Sequence, residues 1–477
     1  MSVAPYLSFR EKVSFTVMKP RAVSLTDGNI TSGIVKFAIP VLLSNLLQQL
    51  YNSIDSAVLG RFAGADALAA VGSTGALINL LIGFFLGVAT GTGVLFSMHY
   101  GAEDYPGLKK LIDSAMILSV IIAVVVSVFG ITFADQLLHM LNTPEELMQL
   151  SREYLVIFLS GLLATMIYNT GAGIIRAEGD SIRPLIYLAI GGVGNLVADV
   201  IFVAVFDWGV KGAAWATVIS QAITAVLVTV HMTRFNPVYA YRPLHMKADK
   251  IVLWDIIRIS VPCGLQSAMY DISNLLVQIK LNSFGMMVMA GATAFGKINA
   301  FVYMPMNALS LSCSTFVGQN LGAGRFQRMK KGIMTCVWLG LVISFGMCLV
   351  TLFGYNTFIR LFTDEPEAAA YGRMQMYFIL PVVWFYSMTD TYGGAIRGSG
   401  QSVAVTVILA VCICVFRVVW IEIMLRFIYD VKIVYACYPL SWILSTITTI
   451  WFFYRRSTIW KTICKQQKAA LQAEPAA

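Results

Sequence analysis

Along almost its whole length the chain alternates long apolar blocks with short polar gaps. Twelve blocks stand out, at about 33–60, 67–98, 111–133, 152–175, 183–206, 212–233, 255–281, 287–317, 331–354, 371–396, 402–428 and 432–454. Runs of about 20 apolar residues cross a bilayer as helices. The pattern therefore predicts an all-α polytopic membrane protein with twelve transmembrane helices, its charges confined to the gaps.

The blocks fall into two sets of six. Residues 37–131 and 255–353 read as two copies of one unit, because Gly101-Ala102 followed by Lys109-Lys110 recurs as Gly322-Ala323 followed by Lys330-Lys331, a shift of 221 residues. Thr170, Gly173, Ile175, Arg176, Gly179 and Ser181 recur at that shift as Thr391, Gly394, Ile396, Arg397, Gly400 and Ser402. An even number of spans per copy makes both copies enter the membrane in the same direction, which is parallel-repeat geometry. Duplicated hydrophobic halves are the usual construction of secondary transporters. The expected organisation is a tail over 1–32, a first lobe over 33–233, a basic, turn-rich linker over 234–254, a second lobe over 255–455 and a tail over 456–477.

Composition agrees, with 58% hydrophobic and 12% charged residues in a chain of 477, against about 25% charged in soluble domains. The two tails and the even-numbered gaps hold 23 of the 34 Lys and Arg, the odd-numbered gaps seven. The positive-inside rule then places both termini in the cytoplasm. The net charge of +9 is accounted for by that asymmetry and calls for no nucleic-acid partner. The polar, basic lead lacks the apolar core of a signal peptide. The eight cysteines lie in the second half without zinc spacing, and His99, His139, His231 and His245 stand far apart, so no metal site is expected beyond a sodium ion at a coupling site.

Ionisable groups inside spans carry the chemistry, since a mid-membrane carboxylate costs on the order of 2.5–3.5 kcal/mol on insertion scales. Asp55 is the one charge between Lys36 and Arg61; Asn195 and Asp199 share a helical face in the fifth span; Thr217 lies in the sixth. Asp55 lies six residues before Arg61, Asp199 eight before Asp207 and Thr217 six after Lys211. At about 1.5 Å per residue all three lie roughly 9–12 Å below the outer ends of their helices. Asn195 is one turn deeper. Two carboxylates, an amide and a hydroxyl at one level suit either an oxygen-lined sodium site or a carboxylate pair sharing a proton.

The second lobe carries Asp271, Lys297, Asp390, Arg417 and Glu422, but the positions equivalent to Asn195 and Asp199 are Phe416 and Trp420. The two lobes thus share a pattern and not this chemistry. Asp271 and Asp390, with Tyr270, Phe301, Met304, Phe385 and Tyr386, are candidates to line an adaptable substrate cavity. Pro40 and Pro262 sit early in the first and seventh spans, and Pro305 and Pro381 lie within theirs; each is either a packing kink or a bend that changes during a cycle.

The stretches Leu25-Thr-Asp-Gly-Asn-Ile, Leu50-Tyr-Asn-Ser-Ile-Asp55, Ala69-Ala-Val-Gly-Ser-Thr-Gly and Gly209-Val-Lys-Gly-Ala-Ala-Trp-Ala-Thr217 carry a family resemblance. So do Met304-Pro305 and Phe316-Val-Gly-Gln-Asn-Leu-Gly-Ala-Gly324. Over residues 25–455 the chain resembles multidrug and toxic compound extrusion (MATE) transporters of the DinF-like and MepA-like bacterial branch. The resemblance implies two six-helix bundles in a V around a central cavity. It assigns cation coupling to Asp55, Asn195, Asp199 and Thr217, and a helix bend to Pro40.

The function expected is cation-coupled efflux of amphipathic, often cationic drugs or toxins by alternating access, with protons or sodium as coupling ion and no other cofactor. The expected setting is the cytoplasmic membrane of a bacterium, as a monomer among lipids. The alternative within transport is a flippase for a lipid-linked precursor, which would favour a strongly cationic cavity. No catalytic constellation or phosphate-binding loop suggests an enzyme.

Overall fold

The computed structural model describes residues 23–235 and 241–473; the lead 1–22, residues 236–240 of the linker and 474–477 of the C-terminal tail lie outside them. The first half comprises α1 (Ile30–Phe62), α2 (Ala65–Gly101), α3 (Tyr105–Thr132), a short α4 (Ala134–Met140), α5 (Glu145–Ser160), α6 (Leu162–Ala177), α7 (Ile182–Asp199) and α8 (Gly209–Val230). The second comprises α9 (Lys250–Asn282), α10 (Met286–Gly322), α11 (Phe326–Ile359), α12 (Pro366–Ile379), α13 (Val383–Gly398), α14 (Ser402–Leu409), α15 (Phe416–Phe427) and α16 (Val431–Arg455). A last helix, α17 (Thr458–Ala473), occupies the segment read from sequence as a tail.

Polar caps start the helices where the apolar blocks begin. Asn29 accepts from Ser32 N at 3.0 Å ahead of α1, and Asp249 accepts from Ile251 N at 3.0 Å ahead of α9. The duplication is written in the element lengths: α1 and α9 both span 33 residues, α2 and α10 both span 37.

Among the described residues ten helices, some continued by a π-helical turn, are long and apolar enough to cross a membrane. The pair α5 and α6, bent by 46° at Gly161, is long and apolar enough for one more when taken together. Two of the twelve blocks are not single straight helices: the fourth bends at this pair, and the tenth is interrupted. There α12 and α13 meet in a tight turn over Leu380–Val382, because Pro381 has no N–H to continue the ladder. By contrast α1 runs unbroken through Pro40.

Each half lends the start of its first helix to the other. Ile34, Phe37 and Val41 of α1 join the core of Phe316, Met329 and Ile333 from α10 and α11, while Leu59 packs with Ala67, Tyr154 and Val210 in the first half. Conversely Ile256 and Ile259 of α9 join Val94, Leu111 and Ile175, and Val277 and Leu281 pack with Ile421 and Tyr435. The α2–α9 contact is main chain on main chain: a Cβ on Gly91 would stand 2.4 Å from Ser260 Cα. Small residues at such a crossing let dispersion contacts replace the hydrophobic drive that lipid does not supply.

Residues 23–29 form a strap across the halves at the end where α2 and α10 finish. Val23 N donates to Gly179 O at 3.1 Å on the first half. On the second, Asn320 Nδ2 donates to Leu25 O at 3.1 Å, Arg328 Nη1 to Gly28 O at 2.7 Å and Nη2 to Asp27 O at 2.7 Å. Gln319 Nε2 adds a direct bond to Ala177 O at 2.7 Å.

Candidate cation-coupling site

The site lies toward the far ends of α1 and α7, away from the strap. Asp55 stands seven residues before the end of α1, and Asp199 closes α7. Directly after Asp199 the chain widens into a π-helical turn, Val200–Val205, a departure from α geometry that often accompanies functional groups.

The structure brings the Asp55 and Asp199 carboxyls within hydrogen-bonding reach of each other. Asp199 is fully buried and Asn195 nearly so, at 0% and 1% exposure. Among the described residues no donor reaches Asp55 Oδ1 or either Asp199 oxygen, and Asn195 Nδ2 has no acceptor. Two facing acid groups without a donor are satisfied by a bridging proton or by a cation.

Thr217 makes no hydrogen bond to either acid among the described residues. Its Oγ1 donates to Ala213 O at 3.1 Å in its own helix and lies in reach of the Tyr51 hydroxyl. Tyr51 Oη is also 3.4 Å from Ser220 Oγ. Tyr51 and the buried Tyr154 of α5 both lie near enough to the two carboxylates to feel their charge. Sequence reasoning missed both tyrosines. Tyr51 was findable, being one turn before Asp55 on the same face; nothing along the chain marks Tyr154.

A cavity of about 220 Å³ opens between α1, α7 and α8, lined by Leu47, Tyr51, Ile54, Asn195, Ser220 and Gln221. Asn195 therefore faces the cavity while standing one turn from Asp199.

The second-half candidates do not gather into one group. Asp390 Oδ1 pairs with Arg397 Nη2 at 3.3 Å, and Arg397 also donates to Ser310 Oγ at 3.0 Å. Glu422 pairs with Lys280. Arg417 donates to Ser441 Oγ at 3.0 Å and to Asn274 Oδ1 at 3.2 Å, with Tyr438 beneath its guanidinium. Asp271 lies against α2, where a Cβ on Gly83 would stand 2.8 Å from its Oδ2. Tyr270 lies near Asp390; Met304 is buried; Phe385 stacks on Trp384 at 3.7 Å. Phe416 and Trp420, at the places of Asn195 and Asp199, stack on one another at 6.0 Å.

The MatE family model matches this chain twice, over residues 40–201 and 262–421. The chain belongs to the MatE family. MatE proteins are membrane transporters and not enzymes, and the two matched stretches are the two copies seen in sequence and fold. Among curated MatE relatives, the probable multidrug resistance protein YpnP of Bacillus subtilis is 28% identical over 398 residues, covering 83% of this chain and 89% of its own. The multidrug export protein MepA of Staphylococcus haemolyticus is 21% identical over 383 residues, covering 80% and 84%. Of solved structures, a MATE protein in the bent conformation superposes with a TM-score of 0.86 at 20% identity, over 94% of this chain and 99% of that one. A MOP superfamily transporter from Pyrococcus furiosus gives 0.85 at 20% identity, over 92% and 99%. This MatE chain thus has the two-lobe fold of those transporters and is a multi-pass membrane protein.

Proposed function

We propose that this MatE protein exports amphipathic, often cationic compounds, and that Asp55 and Asp199 couple export to cation entry. The curated relatives named for multidrug resistance and export support the substrate class, and favour it over a lipid-linked precursor flippase. The coupling reading rests on one observation: the buried Asp199 carboxyl and the half-buried Asp55 carboxyl lie in reach of each other, and no donor among the described residues reaches Asp55 Oδ1 or either Asp199 oxygen.

The favoured coupling ion is a proton, because one proton between two facing carboxyls satisfies both without further ligands. Asn195 and Tyr51 would pass its arrival to the adjoining cavity, where amphipathic cargo meets α1. Sodium is the second reading, supported by the oxygens that Asn195, Thr217 and Tyr51 offer nearby. In either case the cation and the cargo compete for states of α1, and Pro40 is the point where that helix can bend. The lobes over 33–233 and 255–455 would alternate by parting at the strap end and closing at the Asp55 end. Both termini face the cytoplasm on this reading, and one chain works as a monomer.

The test is dye efflux by inverted vesicles or proteoliposomes under separately imposed proton and sodium gradients. Transport driven by a proton gradient alone supports the shared-proton site. Transport that needs sodium assigns the site to that ion, and transport indifferent to both gradients removes the coupling role.

A further inference from the structure

The two repeats treat their paired lysines differently. In the first half, Lys110 Nζ pairs with Asp249 Oδ2 at 3.2 Å, and Lys109 stands within electrostatic range of Asp113. The chain entering α9 fills the space between: Lys247 N reaches Asp113 Oδ2 at 3.5 Å and Asp249 N donates to Ser114 Oγ at 3.1 Å.

In the second half the same lysines recur as Lys330 and Lys331, but both acids are gone. Asp113 becomes Met334 and Ser114 becomes Thr335 at the 221-residue shift. The capping residue Asp249 of α9 corresponds to the neutral capping residue Asn29 of α1. Where the first half is filled and neutralised, the second has an open groove of about 650 Å³ lined by Asn29, Lys330, Lys331, Met334 and Thr335. Among the described residues neither lysine has an ion-pair partner. Lys330 Nζ lies 5.3 Å over the Trp460 ring, which holds it in place.

We propose that this groove binds the phosphate headgroup of an anionic phospholipid. Two lysines without a carboxylate supply the charge, and their place at the start of a spanning helix is headgroup level. A lipid is favoured over a free anion by what lies beneath. Trp338, Val342 and Phe345 continue the face of Lys331 and Thr335 down α11 and are 69%, 64% and 66% exposed, a track for an acyl chain. The first-half lysines, with Lys110 paired to Asp249 and Lys109 near Asp113, should not compete for such a lipid.

The experiment is native mass spectrometry of the purified full chain with phosphatidylglycerol and with phosphatidylcholine. Phosphatidylglycerol should be retained preferentially, and Lys331→Gln should cut its retention about fivefold, the factor expected per basic residue at a headgroup. The double variant Asn29→Asp, Met334→Asp restores the acids of the first half; it should abolish the preference, and aspartate still caps α1. Lys110→Gln should leave retention unchanged. If the double variant fails to fold, Lys330→Gln with Lys331→Gln gives the same test. Equal retention of the two lipids, or an unchanged preference in a folded variant, overturns the proposal. Displacement of phosphatidylglycerol by millimolar inorganic phosphate assigns the groove to a soluble anion and overturns the lipid reading.

Discussion

Gly101 rests on the main chain of Gln319: a Cβ there would stand 2.0 Å from the Gln319 carbonyl oxygen. The relationship is reciprocal, since a Cβ on Gly322 would stand 2.0 Å from Met98 O, and both pairs are related by the 221-residue shift. The pseudo-two-fold axis of the molecule passes between these contacts, where α2 and α10 end. Gly101→Val should force the two ends apart and cost about 1–3 kcal/mol, the usual penalty of overpacking. Spin-label distances between positions 102 and 323 should lengthen and the melting temperature in detergent fall. An unchanged distance with wild-type melting would show that the ends are not held by this contact.

Asp55→Asn should abolish coupled efflux with insertion and expression intact, because the amide cannot exchange a proton or hold a cation's charge. Asp199→Asn should be nearly as damaging. Dye efflux from cells, with expression checked by blotting, decides this; wild-type efflux by well-expressed Asp55→Asn protein removes it from the mechanism.

Tyr51→Phe keeps the ring and deletes the hydroxyl that reaches Ser220 and Thr217. A lost hydrogen bond of about 1 kcal/mol corresponds to roughly a fivefold effect. Coupled efflux should fall by that factor while expression stays the same. Loss as complete as that in Asp55→Asn would mean the hydroxyl takes part in cation transfer itself.

The second half calls for two different outcomes. Asp271→Asn removes a charge that has no ion-pair partner among the described residues, so it should change which compounds are exported and leave the fold unharmed. Asp390→Asn leaves Arg397 buried without its carboxylate, and breaking a buried pair costs about 3–5 kcal/mol. Reduced folded yield is expected there. A panel of chemically distinct dyes, run with a melting curve for each variant, separates the two; loss of every substrate by stable Asp271→Asn protein would extend the coupling site into the second lobe.

Acid should loosen the strap end. The Arg325 hydrogen bond holds the Asp27 carboxyl below its ordinary value, and the Lys110 hydrogen bond followed by the Ile251 and Val252 amides does the same for Asp249. A carboxyl whose value is depressed in the fold contributes above its unfolded value, near pH 4, and loses that contribution as pH falls through the folded value. Protection of residues 23–29 from proteolysis or hydrogen exchange should therefore be flat from pH 7 to about 5 and decline below about 4. Arg325→Gln should remove Asp27's share of that decline; an identical acid profile in the variant would place the effect elsewhere.

Much of this protein is legible along the chain because lipid imposes one-dimensional rules. Apolar length sets the spans, and a fixed shift reveals the duplication. The register of Asp55 from Arg61 and of Asp199 from Asp207 sets their common depth, so that these two carboxyls can meet follows from counting. Tertiary structure alone decided which helix stands beside which. Tyr154 enters the site because α5 packs against α8 and α2, and no spacing encodes it. Pro40 and Pro381 look alike in sequence, yet α1 stays whole at one and the tenth block breaks at the other. The helices exchange their first turns between halves, and Leu25 is buried as part of the strap rather than lost in a tail. Most telling are the lysine pairs, identical as dipeptides: Lys110 is neutralised by Asp249, 139 residues away in sequence, whereas Lys331 shares its groove with the neutral Asn29. Span length and depth depend on each helix's own residues, whereas neutralisation, breaks and burial depend on neighbours brought together by packing.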